Sequence, residues 1–135
     1  MNQTAGAKSP LVPVSWGELI DKVTILEIKQ DQIPSPEALK NVMYELAALN
    51  KTVNPALASS PDVSILKAKL TEINQRLWDI EDAIRQKEAL KAFDEAFIEL
   101  ARSVYKTNDI RAAIKREINK AMNSSLTEEK SYQLY

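Results

Sequence analysis

The sequence predicts an all-α fold, a four-helix bundle with a long antiparallel helical hairpin. Three observations carry that reading. The 135 residues include only two glycines, too few for the tight turns of a β-rich chain or for a phosphate-cradling loop. Alanine, leucine, lysine, glutamate and isoleucine dominate, a composition that favours helices. Apolar residues recur at steps of three and four in separate stretches divided by proline, serine and asparagine. A chain of this length supports one domain with a modest core, placed at residues 14–135.

The elements follow in order. Residues 1–13 are polar and carry Pro10 and Pro13, which predicts a flexible N-terminal arm. Ser15 is positioned to cap a first helix, with Glu18 three residues on as the second half of a capping box. That helix is expected over Trp16 to Gln30, stopping before Pro34. Leu19, Val23 and Leu26 form one apolar face, while Ile25 and Ile28 point elsewhere. A helix apolar on two sides is sandwiched, either inside a bundle or at a subunit contact. A small bundle has little interior to enclose a helix, so the pattern predicts a homo-oligomer.

Ser35-Pro36-Glu37 opens a second helix with a cap, a proline in the first turn and an acid at the positive end of the helix dipole. Its apolar face runs from Leu39 through Val42, Met43, Leu46 and Leu49 to Val53, and Asn54 to Ser60 is expected to be a loop. Ser60-Pro61-Asp62 repeats the start signal for a third helix over Val63 to Lys87. There Leu66, Leu70, Ile73, Leu77, Ile80 and Ile84 alternate steps of four and three, a short coiled-coil seam. A turn at Leu90 to Ala92 leads to a fourth helix over Asp94 to Met122, and so short a connection makes the two long helices antiparallel neighbours. Ser124-Ser125 is expected to end it, before a polar tail that carries two tyrosines.

Composition narrows the function. With no cysteine and no histidine, disulfides, thiolate metal sites, histidine-dependent nucleophiles and the commonest transition-metal ligand are excluded. No catalytic residue, metal or cofactor is therefore assigned. The first 14 residues lack the apolar core of a signal peptide, and no run approaches the ~20 apolar residues of a membrane span. A cytoplasmic protein with no membrane span is expected. Net charge is −1, yet six basic residues lie between Arg102 and Lys120 against only Asp109 and Glu117. Arg102/Lys106, Arg111/Lys115 and Arg116/Lys120 are like-charge pairs four apart, so their acids must come from other elements. Tyr105 alone interrupts this stretch with an aromatic ring, which speaks against a nucleic-acid interface.

Arg111 projects between Val104 and Ile118 on the apolar side of the fourth helix, where an arginine needs an acid or water. Glu27, which lies inside the apolar arc of the first helix, is the expected partner. Asn74, Trp78, Glu81 and Arg85 form a stripe beside the seam of the third helix, and the hairpin register sets Asn74 near Asn108 and Trp78 near Val104. Glu27, Asn74, Trp78, Glu81, Asn108, Arg111 and Lys115 are the candidate ligand- or partner-binding residues. The plainer reading is a structural ion pair flanked by tryptophan packing and a Glu81–Arg85 pair.

Gly17 to Lys22 with Thr24 to Lys29, Leu77 to Arg85, and Glu99 to Asn119 followed by Glu128 to Tyr132 resemble a family of small uncharacterised bacterial proteins. The resemblance implies no catalytic residues, only an association with sugar transfer and cell-surface polysaccharides. A likeness of architecture alone, to the all-helical chorismate mutases, would recruit Arg111, Lys115, Lys106 and Glu27 to an anionic pocket. The basic residues of the first helix, all lysines, do not match that arrangement. The leading expectation is a non-enzymatic helical interaction or assembly module whose protein partner is not specified. The alternative is a small anionic-ligand-binding protein or enzyme with a polar pocket around Arg111.

Overall fold

The computed structural model describes residues 9–135, so most of the expected arm, residues 1–8, lies outside the described residues. Residues 9–15 run without helix into α1 (Trp16–Gln32), followed by α2 (Pro36–Ala58), α3 (Pro61–Ala89) and α4 (Glu95–Ala121). The architecture is an all-α bundle. Ser15, Ser35 and Asp94 accept hydrogen bonds from the N–H groups of Glu18, Ala38 and Phe97, closing the first turns of α1, α2 and α4. Glu18 does not return its carboxylate to Ser15 as a capping box would; the carboxylate is drawn to Lys115 at 2.7 Å. Ser60 makes no side-chain cap.

Two further boundaries differ from expectation. α2 continues through Pro55 to Ala58, where a loop was expected. Val53 is fully buried and Leu57 packs against the core one turn later, so burial outweighs the hydrogen bond that proline removes. α3 and α4 both end on a residue in the left-handed region, Lys91 (φ 55°) and Asn123 (φ 53°). Ala92 N–H donates to Lys87 C=O and Lys91 N–H to Glu88 C=O; Ser124 and Asn123 repeat the pattern on Asn119 and Lys120. These are Schellman closures, and Asn123 rather than the serine pair terminates α4.

Ile20, Val23 and Leu26 of α1 meet Val42, Leu46 and Val53 of α2, Val63, Leu70 and Ile73 of α3, and Ile114 and Ile118 of α4. α1 packs against all three other helices. Its N-terminal turn lies on α4, its middle reaches α3 and α4 together, and Glu27 sits on α3, so it crosses the hairpin obliquely. Gly17 marks the closest approach: a Cβ there would lie 2.5 Å from the Lys115 carbonyl oxygen. The two-sided pattern of α1 is thus satisfied inside one chain, with Ile28 buried and Ile25 half-buried. The expectation that α1 needs a second copy to cover it is corrected. α3 and α4, of 29 and 27 residues, each reach about 40 Å. From Glu81 to Lys106 no residue of this hairpin is buried.

Candidate functional site

Where α1 crosses the hairpin, four polar side chains close on one another. Asp21 is 1 % exposed. Its carboxylate accepts from Arg111 Nε at 3.0 Å, from Arg111 Nη2, and from Asn74 Nδ2 at 2.8 Å. Asn74 also donates to Thr24 Oγ1 at 2.8 Å, and that hydroxyl donates to the Asp21 carbonyl at 2.7 Å. Planar guanidinium against carboxylate is the strongest common ion-pair geometry. The hydrogen bond to Asp21 holds the Arg111 pKa above its usual value against the opposing effect of burial.

Lys115 lies one turn further along α4, also buried. Its ammonium meets Glu18 at 2.7 Å and Glu128 of the C-terminal segment at 2.9 Å, with Asp21 at 3.9 Å. Burial works against the charge, but the hydrogen bonds that Lys115 donates to Glu18 and Glu128 outweigh it and raise the pKa. The same bond from Lys115 lowers that of Glu128. For Arg111 and Lys115 the acids do come from other elements, α1 and the tail, whereas Arg102 pairs at 2.8 Å with Glu99 of α4 itself, against expectation. Among the described residues no buried side-chain polar atom lacks a hydrogen-bond partner, and no group of three acidic side chains gathers as a metal site.

Two clefts flank this cluster, with Arg111 on the border of both. One, of about 360 Å³, is lined by Ile25, Asn74, Leu77, Trp78, Glu81 and Arg85, where Glu81 pairs with Arg85 at 3.2 Å. The other, of about 380 Å³, lies between α4 and the C-terminal segment and includes Tyr105, Asn108, Lys115, Glu128 and Tyr132. Of the seven residues expected at the site, Asn74, Trp78, Glu81, Asn108, Arg111 and Lys115 border the cluster or its clefts. Glu27 does not. It binds Lys67 at 3.1 and 3.2 Å, so the expected Glu27–Arg111 pair is corrected to Asp21–Arg111.

Asp21 and Thr24 are not among the residues the sequence singles out, because there only the apolar Ile25 and Ile28 mark a second face of α1. The available signal was the stripe Gly17, Asp21, Thr24, Ile28, spaced four, three and four, which is the buried second face of α1.

Residues 11–135 match the model of DUF6165, a family of unknown function, and the chain belongs to that family. No curated protein and no solved structure matches it. No helix among the described residues is long and apolar enough to cross a membrane.

Proposed function

We propose that the chain is a non-enzymatic helical assembly module that pairs with a second copy of itself through the outer half of the α3–α4 hairpin. The observation that carries this reading is the run from Glu81 to Lys106 without a buried residue, in a hairpin whose seam remains apolar. Ile84, Phe97, Leu100 and Val104 are only half-covered. Leu90 is 77 % exposed, Phe93 54 % and Ile98 48 %. Two helices alone cannot enclose such a seam, and apolar surface clustered in one place marks a contact site. Charge favours a like partner: six acids and five bases alternate over residues 81–106, so two copies can meet without net repulsion.

The buried cluster supports a structural role for Arg111, since Asp21 already balances its charge. A cysteine-free composition supports a cytoplasmic setting. Placement beside cell-surface polysaccharide synthesis rests on the sequence resemblance alone. Light scattering at tens of micromolar tests the assembly. The wild-type chain should be a dimer or larger, and the Leu90→Ser/Phe93→Ser/Ile98→Ser variant should be monomeric with unchanged helical circular dichroism. A monomeric wild type would sink the reading.

A further inference from the structure

We propose that the cleft between α4 and the C-terminal segment is a binding site for a small molecule bearing a carboxylate or phosphate group, and that Glu128 occupies its anion position. The site is centred on Lys115 and Glu128, outside residues 81–106, and shares only Val104 and Tyr105 with the inner end of the outer hairpin; a binding titration reads it separately from assembly.

Lys115 is the anchor. Its side chain is 9 % exposed, and three acids surround it. Asp21 is buried in α1 and cannot withdraw, and Glu18, although its side chain is 53 % exposed, has its backbone fixed in the first turn of α1. Glu128 belongs to a segment without regular structure, and its side chain is 50 % exposed. The other polar ties of that segment are on the surface, Lys130 to Asp109 at 3.2 Å and the Tyr135 hydroxyl to Asp109 at 2.8 Å, and the Tyr135 ring meets that of Tyr105 edge-on at 5.1 Å. Charge points the same way. Asp21, Glu18 and Glu128 are three carboxylates against two cations, Arg111 and Lys115. Departure of Glu128 leaves two against two, so buried Lys115 and half-buried Arg111 remain matched.

The vacated position would be furnished for an oxyanion. The ammonium of Lys115 would have a free donor there. Arg111 spends Nε and Nη2 on Asp21, while Nη1 has only a 3.5 Å approach to Asn108, itself a wall of this cleft. Tyr105, Tyr132 and Val104 supply the less polar walls. At about 380 Å³ the cleft has room for more than the single carboxylate it holds, within the range of small-ligand pockets. A tethered carboxylate competes at an effective concentration of order millimolar, so it masks the site from weaker free anions.

The test is a titration of the full chain with succinate and, separately, with inorganic phosphate, followed by amide NMR. Glu128→Gln should bind at least one probe about tenfold more tightly than wild type. Preference for succinate or for phosphate identifies the group the site takes. In the wild type, binding should move the amides of residues 126–132 toward those of an unstructured chain. Adding Lys115→Met to Glu128→Gln should abolish binding, and this double change removes a cation together with one of its acids, which protects the fold. Equal or weaker binding by Glu128→Gln, binding that survives the double change, or binding in the wild type without movement of the tail would each overturn the proposal.

Discussion

Asp21, Arg111, Asn74 and Thr24 hold one another inside the crossing of α1 over the hairpin, with Lys115 alongside. Replacing Arg111 with methionine leaves the Asp21 carboxylate buried without its cation, and urea unfolding should show a loss of about 3–5 kcal/mol. The Asp21→Leu/Arg111→Met double change should recover much of that loss, whereas Glu27→Gln should cost under about 1 kcal/mol because its pair with Lys67 is partly solvated. A loss for the double change equal to the sum of the single changes would refute the coupling. That Arg111 needs an acid or water was legible in the sequence, because it lies on an apolar stripe. The identity of the acid was not, since it depends on how α1 crosses the hairpin, and no local spacing encodes that angle. At the same scale, Glu128 has its pKa lowered first by the hydrogen bond from Lys115. A folded pKa below the unfolded one means that tail docking is fully supported above the ordinary glutamate range and is lost as pH falls through the folded value. Amide NMR should therefore show residues 126–132 releasing below a pH of about 4.5 while the helices persist. A tail still docked well below that range would contradict the role given to the Lys115–Glu128 pair.

Helix starts were legible because caps are local chemistry: Ser15, Ser35 and Asp94 each bind an N–H three residues ahead. Helix ends were less so. Pro55 signals a break, yet the burial of Val53 carries α2 past it, and burial is a property of the fold rather than of the dipeptide. Lys91 shows the opposite case, a residue without any left-handed preference that takes φ 55° to close α3. Only glycine occupies that region without a steric cost. Lys91→Gly should raise stability by about 0.5–1 kcal/mol in chemical denaturation, since the lost Lys91–Glu88 pair is exposed. A variant less stable than wild type would mean that the turn is held by the lysine side chain instead. The oblique seat of α1 depends on Gly17 in a similar way, because a side chain there meets α4 backbone. The sequence displayed that glycine without showing what it had to clear.

For the whole molecule, the four helices and the long hairpin could be read from periodicity and the short connection after Ala89. The sequence pointed to α1 as the helix in need of cover, but α1 is the enclosed helix, and the unclosed apolar seam belongs to the outer hairpin. Periodicity reports which residues are apolar; only the assembled chain reports which of them find cover. Assembly through that hairpin is the central claim, and the chain contains no cysteine, so a single introduced thiol can be labelled without ambiguity. The measurement is pulsed electron–electron dipolar spectroscopy on Glu95→Cys carrying a spin label at the exposed start of α4. Paired hairpins should give a defined distance of a few nanometres between labels on two copies, which dilution with unlabelled chain removes. A signal without any defined distance, at a concentration where the chain is folded, would show that the outer hairpins do not meet.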